Sequence, residues 1–290
     1  MFIMKHLYLI IVIFITSLGI SYSQVSEIGL AGGVSFYLGD INPSGVFKGS
    51  RPAGGIIYRY NINTLLAFKS SVLFGRIGAN DADYGKTADA KARNLSFVSP
   101  ISEISAQMEL NFLRLYNEEG KNPIAPYIFA GVGVFSFNPQ AQSPTDGKWY
   151  DLQTLGTEGQ DLNQPGYDKK RYSLVGVSIP FGIGVKYNFL KYYSVGLEWG
   201  MRLTFTDYID DVSTVYVADS ILRIFRNPVV AELADPVDAH SKHIPGTARG
   251  NAQTKDWYSF AVATFTFKLH YKKGCSAMGV KSSRMGNKRR

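Results

Sequence analysis

Between Ser194 and Thr206 the chain alternates without a break. Val195, Leu197, Trp199, Met201, Leu203 and Phe205 fall on one parity, and Ser194, Gly196, Glu198, Gly200, Arg202, Thr204 and Thr206 on the other. A period of two places each set on one face of a strand, and no helical period yields the split. The segment before it repeats the pattern: Val175, Val177, Ile179, Phe181, Ile183, Val185 and Tyr187 oppose Gly176, Ser178, Pro180, Gly182, Gly184, Lys186 and Asn188. Pro180 cannot donate to a ladder, so a local bulge is expected there.

Three more segments alternate in the same way. Ile28, Leu30, Val34, Phe36 and Leu38 oppose Glu27, Gly29, Ala31, Gly33, Ser35 and Tyr37. Ile104, Ala106, Met108, Leu110 and Phe112 oppose Glu103, Ser105, Gln107, Glu109 and Asn111. From Trp257 to Tyr271, Phe265, Phe267 and Leu269 oppose Thr264, Thr266, Lys268 and His270, with aromatic residues at both ends. Ala53–Tyr60, Leu65–Arg76 and Pro126–Phe137 also read as strands, although aromatic residues fall on both of their faces. The total is about eight, an even number that returns the chain to its starting side.

The connections agree. Short turns around Asn61-Ile62-Asn63, Asn117–Asn122 and Leu190-Lys191-Tyr192 alternate with long stretches after Leu38, Arg76, Phe137 and Thr206. That alternation is typical of an outer-membrane barrel with its turns and termini periplasmic and its long loops outside. The predicted fold class is therefore all-β, a transmembrane antiparallel up-and-down barrel of about 8 strands. A soluble β-sandwich is the runner-up; it would have to hide each apolar face against a second sheet.

The first residues add an export signal. Lys5 precedes an apolar run from Leu7 to Ile15, and Ser21 and Ser23 flank Tyr22 before Gln24, so cleavage is expected before Gln24. The predicted organisation is residues 1–23 as signal, 24–271 as barrel with long loops, and 272–290 as a basic periplasmic tail. The net charge of +8 invites a nucleic-acid reading. Once Lys5 and the seven cations of the tail are set aside, however, residues 24–271 carry no net charge, so a basic nucleic-acid face is unsupported. The single cysteine, Cys275, has no partner within the chain. The 18 Tyr, 18 Phe and 29 Gly suit aromatic girdles and a crowded lumen.

The inward face collects Glu27, Glu103, Glu109 and Glu198 with Arg59, Lys69, Lys186, Arg202 and Lys268. Eight strands enclose only enough space for side chains, so these charges are expected to pair across the lumen and close it. Glu198 and Arg202 share a face but lie about 13 Å apart along the strand, so each needs a partner from another strand. No cofactor or metal site is predicted. Asp207, Asp210 and Asp211, with His240, Ser241 and His243 later in the same loop, match no metal-ligand spacing and form no positioned trio; solvated loop residues are the simpler reading. Gly131-Val132-Gly133 and Gly182-Ile183-Gly184 open no helix, so no phosphate loop follows. Trp149 and Tyr150, near Leu152, are apolar for a loop and are candidates for partner contact or for packing over the barrel mouth.

Taken in order, several motifs resemble the outer-membrane barrel family typified by PorG of the type IX secretion system. They are Tyr37-Leu38-Gly39-Asp40, Ile57-Tyr58-Arg59-Tyr60, Asn94-Leu95-Ser96-Phe97, Pro126-Tyr127-Ile128-Phe129, Phe137-Asn138-Pro139, Leu155-Gly156-Thr157-Glu158-Gly159-Gln160, Ile179-Pro180-Phe181-Gly182 and Thr206-Asp207-Tyr208-Ile209-Asp210-Asp211-Val212-Ser213. The resemblance implies a non-enzymatic component of the cell outer membrane, in contact with outer-membrane lipid, that associates with a periplasmic ring of PorK and PorN. It supplies no catalytic residues. A barrel hydrolase using the loop aspartates and histidines is the alternative from another class, and a barrel of the same family with an unrelated structural or binding role is a third reading.

Overall fold

The computed structural model describes residues 25–85, 87–113, 123–165, 167, 169–189 and 192–269. The signal segment, the tail with Cys275, the turn at 117–122, and Leu190, Lys191, His270 and Tyr271 lie outside these residues.

All eight predicted strands form. They are β1 (Val25–Leu38), β2 (Arg51–Asn61), β3 (Leu66–Asn80), β4 (Ser96–Asn111), β5 (Ile124–Phe137), β8 (Val175–Asn188), β9 (Tyr193–Thr204) and β10 (Trp257–Lys268). A two-strand extension, β6 (Gln140–Gln142) and β7 (Trp149–Asp151), adds to the loop end of β4 through Val98 and Gln140. Each long strand pairs antiparallel with its sequence neighbours, and β1 pairs with β10 from Glu27↔Lys268 to Leu38↔Trp257, which closes the barrel. Closure leaves no edge among the eight strands, so their backbone groups are paired all round.

The register keeps one parity outside along every strand. Leu30, Ile104 and Leu197 are more than 60% exposed, while inward neighbours such as Glu109 and Arg59 are fully buried. Near the turn end, Phe189, Tyr193, Phe265 and Phe267 form a connected aromatic group on the outside; nearer the loops, Phe181 meets Trp257 edge-on at 5.9 Å. Phe36 has outward parity yet is fully buried, because the β1–β2 loop folds back and lays Phe47 between Phe36 and Trp199, at 4.9 and 5.7 Å.

Two expectations need correction. The register is the same on both sides of Pro180, with Gly133↔Ser178 and Ala130↔Phe181 in one ladder and Ser178↔Thr204 through Phe181↔Met201 in the other. No residue is inserted, so there is no bulge; pairing simply lapses opposite the missing N–H. Strands β3 and β4 run beyond Arg76 and start before Glu103, because their loop ends pair above the barrel rim from Arg76↔Pro100 to Asn80↔Ser96. The long loops also carry helices, among them Asp219–Phe225 and Pro228–Ala234, packed with Leu162, Val217 and Leu222 in a small core of their own.

The ambiguous face of β5 has a packing reason. It turns Tyr127, Phe129, Phe135 and Phe137 inward, so apolar residues occupy both faces. The adjoining strands β8 and β9 make room with glycine: a Cβ on Gly182 or Gly200 would stand 2.8 or 2.5 Å from the Phe129 ring, and one on Gly184 would stand 2.3 Å from that of Tyr127. The glycine pairs that open no helix are thus partly space for lumenal rings.

Candidate functional site: the closed lumen and its loop cap

The lumen divides into two levels. At the turn end, Glu109 on β4 is a hub that accepts from Arg59 Nε on β2 at 2.9 Å and from Lys186 on β8, with Lys69 on β3 at 3.6 Å. Arg59 also reaches Glu27 on β1 at 2.9 Å, and Glu27 accepts from Asn61 at 2.8 Å and Thr266 at 3.1 Å. Lys69 pairs with Glu198 on β9, on the diametrically opposite wall, and Tyr127 donates to the same carboxylate at 2.8 Å. Arg59 and Lys69 are direct cross-strand neighbours, an arrangement of like charges that only carboxylates between them can offset. Lys268, near the mouth, donates to Asn188 at 3.3 Å. Rings complete the filling: the Lys69 ammonium lies 4.3 Å from the Phe129 centroid and that of Lys186 4.4 Å from Tyr127.

One level higher, Arg202 on β9 meets Glu103 on β4 with two bonds of 3.2 and 3.3 Å, and Tyr258 donates to the same carboxylate at 2.7 Å. Glu198 and Arg202 therefore each find a partner on another strand, as their spacing along β9 requires. Above this pair the lumen becomes aromatic and aliphatic, with Tyr37, Ile77, Phe97, Ile101, Phe135 and Phe260 in a core that continues into the loops through Ile41, Leu95, Leu152, Ile209, Val212 and Leu233. The loops form a cap whose apolar side is the top of the barrel core.

The polar side of the cap joins all four long loops. Arg93 grips Asp81 with two bonds of 2.8 Å and donates to the carbonyls of Asp40 and Arg249 at 2.9 and 2.8 Å. Arg249 pairs with Glu158 at 3.2 Å and lies 3.6 Å from Asp211, and Glu158 accepts from the backbones of Ser213 and Thr214 at 2.9 and 3.0 Å. Asp211, at a φ of 65°, accepts from Tyr172 at 2.7 Å and from Thr157. Such a left-handed aspartate is held by its surroundings.

The tightest group is Tyr37 with Asp210 and Asp256, whose carboxyl oxygens lie 2.6 and 2.7 Å from the phenol oxygen. A phenol has one hydrogen. It donates to one carboxylate and accepts from the other, so one of the two acids holds a proton. Burial and mutual proximity push both well above the ordinary carboxylate range. Gly39 makes this possible: a Cβ there would stand 2.0 Å from the phenol oxygen and 2.1 Å from Asp256. Burial also lifts Asp207 to about 7, and lifts Asp211 to about 6 against the opposing charge of Arg249. One Asp207 carboxyl oxygen, Oδ2, is buried without a protein partner.

The predicted site residues therefore separate. Glu27, Arg59, Lys69, Glu103, Glu109, Lys186, Glu198, Arg202 and Lys268 all line the lumen and are all buried. Asp207, Asp210 and Asp211 are also buried rather than solvated, which corrects the simpler reading: Tyr37 holds Asp210, and Thr157, Tyr172 and Arg249 hold Asp211. His243 is not with them; it bonds Asp235 at 2.8 Å and stacks on Tyr216 at 4.3 Å, while His240 and Ser241 are exposed. Tyr150 packs against the core and donates to Asp146 at 2.7 Å, whereas Trp149 stays 52% exposed. Arg249 and Asp256 are not among the predicted site residues, and Glu158 enters only within the motif Leu155-Gly156-Thr157-Glu158-Gly159-Gln160. The charge of Arg249 and Asp256 within otherwise polar loops is the signal that marks them.

No curated protein matches the chain. Among solved structures, the attachment invasion locus protein Ail of Yersinia pestis, in complex with the heparin analogue sucrose octasulfate, aligns over 85% of this chain and 98% of its own at 10% identity, with a TM-score of 0.37. Neisserial surface protein A gives the same identity and TM-score over 85% and 97%. The N-terminal β-barrel domain of Pseudomonas aeruginosa OprF aligns over 84% and 98% at 10% identity, with a TM-score of 0.32. These likenesses are of fold alone. A family model described as "Domain of unknown function (DUF6089)" matches residues 5–154, more than half of the 290 residues, and the chain belongs to that family.

Proposed function

We propose that the protein is a non-enzymatic outer-membrane barrel, closed to diffusion, that anchors a protein secretion machine of the type IX class by holding periplasmic ring proteins resembling PorK and PorN. The membrane part of this reading is supported by the outer wall, where apolar side chains are exposed on every strand face that points away from the lumen. A continuous surface of that kind needs lipid or protein over it, and a closed barrel satisfies its backbone groups internally. No helix among the described residues is long and apolar enough to span a bilayer.

One observation carries the rest: the lumen is crossed by buried ion pairs and then roofed by a cap that all four loops share. A barrel filled in this way works through its surfaces. β1 begins and β10 ends at the end of the barrel where the short connections lie, and on this reading that face is periplasmic and meets the ring. The motifs shared with the PorG-type family support the choice of machine.

A pull-down from detergent-solubilised outer membrane tests the partner. Ring proteins in the eluate are expected, together with loss of protein export on gene deletion; normal export with an intact machine contradicts the proposal. A hydrolase built on the loop acids is the competing class. Turnover of lipid or peptide substrates by the purified barrel, abolished by Asp210→Ala, would replace the anchoring role. The internal partners of Asp210 and the separation of His243 from it favour structure over catalysis.

A further inference from the structure

The arginines of the lumen and cap face carboxylates, as Arg59, Arg93, Arg202 and Arg249 do. Arg51 and Arg76 differ: neither side chain bonds or pairs with any described residue. Both lie on one wall, at the loop ends of β2 and β3. Arg76 points outward on the same parity as Phe74, one step beyond the exposed apolar pair Phe74 and Ile104. The next outward residue is Gly78, about 7 Å further along the strand.

Gly78 forms part of a recess of about 250 Å³, between the start of β2, helix Asp81–Tyr84, the start of β4 and the β6–β7 hairpin. Arg51 lies against it; a Cβ on Gly78 would stand 3.3 Å from Arg51 Nε, which is buried without an acceptor. Tyr84 and Trp149 line the same recess, and the Lys48 ammonium lies 5.8 Å from the Tyr84 ring centroid. Asp83 is the acid lining it. The recess thus combines an unpaired guanidinium fork and two aromatic rings, with Lys48 beside Tyr84 and Arg76 outside the lining, placed where the outer wall changes from apolar to charged.

We infer that this recess binds the phosphorylated sugar headgroup of a glycolipid in the leaflet around the long-loop end. A guanidinium with free amino groups takes a phosphate with two parallel bonds. At ~30 Å³ per water the volume holds about eight waters, more than a phosphate needs by itself and enough for part of a sugar ring beside Tyr84 or Trp149. Arg76 follows the exposed Phe74 at the loop edge of the apolar outer wall, which on the membrane-spanning reading is where headgroup meets acyl chains and commits the site to a lipid source. The inference rests on the membrane-spanning reading and is independent of the secretion machine.

The test reconstitutes the full-length mature barrel into phosphatidylcholine vesicles doped with a bis-phosphorylated glucosamine-disaccharide lipid, or with its dephosphorylated form. Insertion is scored first, by heat-modifiable mobility; a barrel that never inserts refutes the membrane reading itself. Native mass spectrometry of the released barrel then counts retained glycolipid. One retained phosphorylated glycolipid is expected for the wild type, at least tenfold less for Arg51→Gln, severalfold less for Arg76→Gln, and no change for the exposed control Lys255→Gln. Arg51 has no protein partner, so its replacement leaves nothing unpaired, and Arg51→Lys, which keeps charge without the fork, is expected to fall between. Equal retention by wild type and Arg51→Gln, loss that Lys255→Gln matches, or indifference to the phosphates overturns the inference. So does binding of soluble glucosamine 1-phosphate without retention of the lipid.

Discussion

The two ends of the molecule handle buried charge in opposite ways. Below the cap, four glutamates and five cations line the lumen, and each carboxylate finds a cation on a neighbouring or facing strand. At the loop end, Asp40, Asp207, Asp210, Asp211, Glu158 and Asp256 crowd around few cations, and burial raises the pKa of every one of these aspartates. The lumen is closed by ion pairing; the cap is closed in part by holding protons. The cap should therefore respond to pH over the neutral range.

The largest effect is expected at the hub. Glu109→Ala leaves Arg59, Lys69 and Lys186 facing one another in a buried space, and stranding buried charge costs about 3–5 kcal/mol. Urea unfolding of the vesicle-embedded barrel should show that loss; a shift below 1 kcal/mol would mean that water fills the lumen and screens the charges. Arg249→Ala removes the cation that Glu158 and Asp211 share, at a cost of about 3 kcal/mol confined to the cap. Limited proteolysis should then cut within 138–174 and 205–256 while the strands stay protected, and strand cleavage at the same rate would show that the two ends are one cooperative unit.

Tyr258→Phe lies at the boundary. It removes one donor from Glu103 and keeps the Arg202 pair, so about 1.5–3 kcal/mol should be lost with no change in loop cleavage. The smallest effect is the pH dependence of the cap. Folded carboxyls with raised pKa values stabilise the cap fully below the unfolded value of about 3.9, and that contribution is lost as pH rises through the folded value, about 7 for Asp207. Loop protection against hydrogen exchange should therefore fall severalfold between pH 5 and 8, and Asp207→Asn should flatten the profile. A profile that rises with pH would reverse the assignment of protons to the cap.

The contrast also separates what was legible in the sequence from what was not. Residues of the lumen could be assigned because alternation fixes parity: Glu27, Arg59 and Lys268 point inward for the same reason that Ile28, Tyr58 and Phe267 point outward. Their pairing could not be assigned, since Lys69 and Glu198 lie 129 residues apart and meet only when the barrel closes. The cap had no period to read. Asp210 meets Tyr37 across 173 residues, and Arg249 meets Glu158 across 91, through loop paths that no local rule dictates. Loop aspartates in such a stretch look solvated, and the tertiary fold overrides that expectation. Phe36 failed differently: its parity was right, but a neighbouring loop covers it with Phe47.

A barrel sealed in its lumen and at its cap, acting through its surfaces, does not conduct. Planar-bilayer recording of the purified, refolded protein is the sharpest test. The filled lumen and shared cap predict a quiet trace at neutral pH, with no stable unitary steps. Large, stable single-channel conductances in the wild-type protein would contradict the sealed barrel, and with it the inference that its work is to hold partners at the membrane.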